Sequence, residues 1–220
     1  MQSNVKIKLI SILFSIFIFS CADVYVQPDF DETEFNVSNL KNKKILIIFS
    51  KKIKVSEFIE SVKSKFGTND SCLKFITASI FDSLKTNLKV SSIYLGDSRY
   101  SNFSESSQPK AELIDVIKTT EEKINPEYLL VFSEFSVGNK KVTVDYVGSP
   151  GGPSTSEWCL IRYDVEIWDL KKRKKMGTFS NEGSRQVHML FFETTMISAI
   201  ENSVYHLVRY LKTGEITFSD

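Results

Sequence analysis

Few side chains in this chain are of a kind that does covalent chemistry. Among 220 residues there are three cysteines and two histidines. Cys21, Cys72 and Cys159 stand far apart, and no Cys/Cys or Cys/His spacing typical of a zinc site occurs. His188 precedes a long C-terminal helical pattern and His206 lies within it, beside the apolar stripe, where a histidine serves as a boundary residue. Gly148-Ser149-Pro150-Gly151-Gly152 is glycine-rich, but it lacks the Gly-Lys-Ser/Thr of a phosphate loop and precedes a strand pattern. These residues imply no catalytic set, no metal site and no cofactor, so the expectation is a protein that is not an enzyme. Two candidate partner contacts remain, because contacts concentrate on loops over rigid scaffolds. One is the loop containing Gly151 and Gly152. The other is the run Lys171, Lys172, Arg173, Lys174 and Lys175. The run reads either as an exposed hairpin tip whose like charges discourage edge pairing, or as a contact for anionic lipid head groups or an acidic partner.

Cys21 sits in the most informative setting. Residues 1–8 hold Lys6 and Lys8 and no acid, residues 9–19 are apolar apart from Ser11 and Ser15, and Ile18-Phe19-Ser20-Cys21 follows. A short basic region, a short apolar region and a small residue form a secretory signal pattern. The apolar run is about half the roughly 20 residues that a membrane-crossing helix needs. With a cysteine directly after Ser20, the segment resembles a bacterial lipoprotein signal, in which an aliphatic residue, a loosely defined one and a small one precede the acylated cysteine. The resemblance implies that residues 1–20 are removed, that Cys21 becomes the lipid-attached N-terminus, and that the protein is held at a membrane of the cell envelope. Each buried methylene contributes about 0.8 kcal/mol to attachment, so two or three acyl chains hold stably. Ala22 after the cysteine resembles the pattern for outer-membrane delivery.

Lys6 and Lys8 are two of the 28 basic residues, which leaves 26 against 27 acids after removal of the signal. A near-neutral chain shows none of the basic footprint of a nucleic-acid binder. Residues 21–42 read as an acylated terminus and flexible tether, with Pro28 and five acids between Asp23 and Glu34. As a coil such a segment reaches roughly 25 Å. An edge strand at Val24-Tyr25-Val26 would shorten it.

Residues 43–220 read as one globular domain. The runs KILIIFS (44–50) and YLLVFSEF (128–135) predict strands covered on both faces. Residues 56–66 predict a short helix capped by Ser56, and a longer one follows from Asp70 or Ser71, with Leu73, Ile76, Ile80, Leu84 and Leu88 on one stripe. Residues 90–95 predict a short strand, 111–124 a helix, and 141–147 a half-exposed strand. In residues 157–170, Cys159, Ile161, Tyr163, Val165 and Ile167 alternate against Arg162, Asp164 and Glu166, which specifies the register strongly. Residues 175–181 return as the partner strand, 183–187 connect, and a helix spans about 192–212 with Gly214 as its stop. Cys72 and Cys159 both face inward, so a disulfide and a pair of free buried thiols both stay open. The class is α/β (α+β): a single mixed parallel/antiparallel sheet packed with about three main helices.

KILIIFS, the segment EKINPEYLLVFSEFSV, and the hairpin RYDVEIWDLKKRKKMGTFS with an aspartate opening its turn are similar to elements of one lipoprotein group. That group includes the TolB amino-terminal domain, the curli-secretion lipoproteins and the penicillin-binding-protein activators. The resemblance implies an accessory or assembly factor that binds a protein partner in cell-wall synthesis, secretion or transport. A ligand-binding or structural surface lipoprotein is the alternative, and a small hydrolase stands behind both.

Overall fold

The computed structural model describes residues 25–29, 36–96, 124–144, 154–187 and 192–215. The apolar run of β2 (Lys44–Phe49) sits in the interior of the sheet, and Ile45, Leu46, Ile47 and Ile48 are all at most 2% exposed. β4 (Ser92–Leu95) flanks it on one side and β5 (Tyr128–Val144) on the other, both parallel to it. β6 (Ser154–Asp169), β7 (Lys174–Gln186) and β1 (Tyr25–Asp29) then add antiparallel in turn. The order is β1-β7-β6-β5-β2-β4, and the three-residue β3 (Ile53–Val55) pairs with β5 above β2. This is a single mixed sheet, in keeping with the two kinds of strand pattern in the sequence.

Three helices among the described residues cover one face: α1 (Ile59–Phe66), α2 (Asn69–Asn87) and α3 (Phe192–Thr213). Thr68 caps α2, its hydroxyl accepting the Ser71 N–H at 3.1 Å. The α2 stripe Leu73, Ile76, Ile80 and Leu84 packs with Ile45, Ile47, Leu130 and Phe132 of the sheet. From β6, Cys159, Ile161, Tyr163, Val165 and Ile167 enter the same core. α3 ends where Gly214, at φ +73°, turns its N–H back to the Tyr210 carbonyl at 2.8 Å. Leu46, Ile48, Leu129, Val131, Trp168 and Leu170 form a second buried cluster on the opposite face. The double burial of β2 and β5 is therefore real, whereas β6 and β7 present Arg162, Asp164, Glu166 and Ser180 to a wetter face.

Several expectations need correction. The edge strand read near Val24-Tyr25-Val26 is present as β1, and a 3-10 turn (Val37–Leu40) buries Leu40, so residues 21–42 are not a tether throughout and the folded body begins before residue 43. The backbone of Tyr25–Asp29 pairs along β7, and Pro28 is tolerated because β1 is an edge strand. Ser56 does not cap a helix. Its N–H and hydroxyl both donate to the Val137 carbonyl, at 3.0 and 3.2 Å, and α1 starts only after Phe58, which has φ 57°. Residues 128–144 are one strand with a bulge, not two strands: Ser133 pairs with Asp164 and Ser136 with Arg162, and Glu134 between them is left-handed at φ 52°. β7 runs on through Gly183, where the sequence suggests a connector. The helix expected over 111–124 lies outside the described residues apart from Ile124.

The parallel strands give the sheet two distinct ends. The upper end, where β2, β4 and β5 finish, also holds the starts of α2 and α3, with the tilted rings of Phe58 and Phe192 in contact, their centroids 4.4 Å apart. The lower end holds the start of β2, the β6–β7 turn and the end of α3.

Candidate functional site

The β6–β7 turn at the lower end gathers a run of basic residues around one buried carboxylate. Asp169 closes β6 and is 6% exposed. Its Oδ1 accepts the backbone N–H groups of Lys171 and Lys172, both at 2.9 Å, so the carboxylate shapes the turn from inside. Arg173 takes the left-handed corner at φ 55°. Lys171, Lys172, Arg173, Lys174 and Lys175 are all exposed, as the sequence implied.

Three acids lie beside this run, Glu166 and Asp169 on β6 and Glu127 just before β5. Lys175 Nζ bonds Glu166 Oε1 at 2.9 Å, and Lys172 Nζ lies 3.9 Å from Asp169 Oδ2. Lys43, at the foot of β2, bonds Glu127 Oε2 at 2.8 Å. The Glu127 carboxyl is held below its ordinary pKa by that hydrogen bond, with a further contribution from Lys171. Lys43 is raised by the same bond. Burial, and then the charge of Asp169, pushes Tyr128 up. Lys44 Nζ donates to the Ile124 carbonyl at 3.2 Å. The lower end is thus a cationic rim seated on a partly neutralising acidic shelf. Such a rim can hold an acidic surface electrostatically.

The upper end carries a feature that sequence reasoning missed. The chain leaves β2 at Ser50 and rejoins the sheet at Ile53, opposite the β5 bulge at Glu134. Ser50 donates its N–H to the Phe132 carbonyl at 2.8 Å and accepts the Lys52 N–H on its hydroxyl at 3.2 Å. The two irregularities open a polar cleft of about 630 Å³ whose walls include Lys51, Lys54, Asp70 and Glu134. The available signal was a serine at the same point of two apolar runs, Ser50 and Ser133. A second hollow of about 590 Å³ lies between α2 and α3, beside Asp82, Tyr205 and Arg209.

The remaining candidates do not join these features. Cys21, Gly151, Gly152 and His188 lie outside the described residues. Cys72 and Cys159 are both fully buried and are free thiols, so no disulfide joins them. Burial pushes Cys72 up to about 11, and burial with the neighbouring Cys72 pushes Cys159 up to about 12, which keeps both from acting as nucleophiles near neutrality. His206 is half-buried in α3, its Nδ1 without a hydrogen-bond partner, and burial followed by the charge of Arg209 lowers it to about 4. Among the described residues, no group of three or more His, Cys, Asp and Glu is placed to hold a metal ion, and no helix is long and apolar enough to cross a membrane.

No family model and no curated protein matches this chain. Among solved structures it is similar to a PelC dodecamer from Paraburkholderia phytofirmans, with 12% identity and a TM-score of 0.39 over 84% of this chain and 96% of that one. It is also similar to a neuraminyllactose-binding hemagglutinin homolog from Helicobacter pylori, with 13% identity and a TM-score of 0.44 over 79% and 86%. Lipoprotein GNA1162 from Neisseria meningitidis gives 10% identity and a TM-score of 0.27 over 74% and 98%. At these values the likenesses carry no argument about what the chain does.

Proposed function

We propose that this protein is a lipid-anchored component of the bacterial cell envelope, attached through Cys21, that acts without catalysis as an accessory or assembly factor for a protein partner. The observation that carries the reading is the start of β1 at Tyr25, four residues after the cysteine that ends the signal pattern. Three residues separate that strand from the cysteine, as suits a protein that works at a membrane surface. The Asp169-braced basic turn supplies a defined contact for an acidic face of the partner. The thiols are held protonated and His206 is only weakly basic, which favours binding over catalysis.

The test is cross-linking in cells followed by pull-down of the full-length protein, with Cys21→Ser as control. Recovery of a synthase, transporter or secretion subunit with the anchored form alone supports the proposal and names the process. Equal sedimentation of both forms with membranes removes acylation as the anchor. Recovery of the same abundant envelope proteins with both forms removes the partner and moves a structural role ahead.

A further inference from the structure

The two larger hollows of the described chain mix charges at their walls. Lys51 and Lys54 stand with Asp70 and Glu134 in one, and Arg209 and Lys212 with Asp82 and Glu201 in the other. A third, smaller niche at the lower end does not mix them. It holds about 370 Å³, inside the roughly 300–1,000 Å³ of small-ligand sites. No acid and no aromatic residue is among its described lining residues.

Three short pieces of chain build this niche: the 3-10 turn Val37–Leu40, the exit from α2 over residues 88–90, and the last turn of α3 over residues 211–213. Backbone hydrogen bonds hold the first two in place. Asn42 donates its N–H to the Lys89 carbonyl at 3.0 Å, and Ser91 donates its own to the Lys43 carbonyl at 2.8 Å. Leu40, Leu88 and Leu211 line the niche and are buried, and Val37 and Val90 line it half-buried. The Thr213 hydroxyl, a polar group of the wall, is already engaged. It donates to the Arg209 carbonyl at 3.0 Å and accepts the Glu215 N–H at 3.1 Å. The interior therefore offers an aliphatic surface and little for a polar ligand to bond.

The mouth is of the opposite kind. Lys41, Lys89 and Lys212 all line the niche and are all exposed. Their methylene stems extend the apolar wall while the ammonium groups stay in water. Both α2 and α3 end here, and each helix C-terminus carries about half a negative charge, which opposes an anion. Three ammonium groups outweigh two such ends. Glu215, just beyond α3, is engaged by Arg209 at 3.0 Å. An aliphatic interior thus opens through a net positive mouth.

We infer that this niche binds a single-chain anionic amphiphile, its alkyl tail against Leu40, Leu88 and Leu211 and its carboxylate or phosphate head among Lys41, Lys89 and Lys212. The aliphatic lining sets the tail, and the lysines set the sign of the head. That chemistry is shared by free fatty acids and by single-chain phospholipids. The site is separate from the basic β6–β7 turn, none of whose residues is among those lining it, and it does not depend on acylation of Cys21.

The test uses the full chain carrying Cys21→Ser, which has no acyl group of its own to compete. Hexanoate, octanoate, decanoate and dodecanoate are titrated by calorimetry below their micelle concentrations, with decyl phosphate and decanol beside them. Affinity should rise about fourfold for each added methylene, the equivalent of about 0.8 kcal/mol, and level off once the niche is full. Decanol should bind about tenfold more weakly than decanoate. Tighter binding of decanoate than of decyl phosphate points to a fatty acid, and the reverse order to a single-chain phospholipid. The methyl resonances of Val37, Leu40, Leu88, Val90 and Leu211 should move together on binding. Combined Lys41→Gln, Lys89→Gln and Lys212→Gln should bring decanoate down to the level of decanol and keep the melting temperature, because all three side chains are exposed. Val37→Phe, which narrows the niche at a half-buried position, should remove the dependence on tail length. Equal affinity for decanol and decanoate, resonance changes centred on other methyl groups, or no binding of any probe overturns the inference.

Discussion

Gly183 of β7 and Ser203 of α3 meet backbone to backbone: a methyl group on Gly183 would overlap the Ser203 amide and Cβ and the Ala199 carbonyl. The glycine is required for space, since it is not among the glycines with positive φ. Gly183→Ala must lift α3 off the sheet or displace β7. Overpacking of this kind costs about 1–3 kcal/mol. The urea midpoint should fall accordingly with little change in slope. An unchanged midpoint would show that α3 rides higher on the sheet than described.

That close approach lets two side chains of the sheet share one helix carbonyl. Asn181 Nδ2 donates to the Ser203 carbonyl at 2.9 Å and the Tyr163 hydroxyl donates to it at 3.3 Å. Both side chains are fully buried. Tyr163→Phe leaves the carbonyl satisfied by Asn181 and should cost about 1 kcal/mol. Asn181→Ala removes a donor and leaves a void, and should cost about 2–3 kcal/mol. The double variant should depart from the sum of the two, because the donors share an acceptor. Strict additivity in denaturant titrations would count against the shared carbonyl.

The parts of this fold that can be read from sequence are those where burial alone dictates residue type. Ile161, Tyr163 and Val165 alternate with Arg162 and Asp164 because one face of β6 is dry and the other wet. Ile45 to Ile48 run unbroken because both faces of β2 are covered. The edge strand legible at Val24-Tyr25-Val26 runs on through Gln27 and Pro28, an extension that escapes such reading because it comes from backbone pairing with β7. The bulge at Glu134 escapes it because it answers a break at 50–52, more than 80 residues earlier in sequence. Gly183 suggests a turn to a reader of sequence, since a lacking side chain and a flexible backbone look alike there. At the basic turn, the lysines and Asp169 are visible in sequence. The acids Glu127 and Glu166, brought beside them by the sheet, become visible only once the register is known.

Stability should fall on both sides of neutrality, for different reasons. His206 is lowered to about 4 in the fold, by burial and then Arg209, from an ordinary value of 6.5. Between these values the unfolded chain binds the proton and the folded one does not, so stability is lost as pH falls below about 6.5. Above about pH 9 the unfolded thiols ionise while Cys72 and Cys159 remain protonated up to about 11 and 12, and the buried Tyr163 is raised as well. The folded state then holds more protons, and stability is lost as pH rises. Urea midpoints from pH 4 to 11 should trace an arch. His206→Gln should flatten its acid limb and leave its alkaline limb in place. An acid limb unaltered by that change would assign the effect to other groups.

Asp169 separates the shape of the basic turn from its charge. Asp169→Ala removes the acceptor of the Lys171 and Lys172 N–H groups and leaves both donors to solvent at the end of a buried strand. Loss of a capping acceptor of this kind costs about 1–2 kcal/mol. Asp169→Asn keeps an oxygen at the same position and should retain most of that stability. Replacing Lys171, Lys172, Arg173, Lys174 and Lys175 by Ser and Gln should leave the melting temperature close to the parent, because the five side chains are exposed and surface ion pairs contribute little. The two kinds of variant therefore make opposite demands. If the turn is a partner contact, the charge-replaced protein loses the partner while fully folded, and Asp169→Asn keeps it. Retention of the partner by the charge-replaced protein would make the run a solvated tip, with its acids there only to balance it.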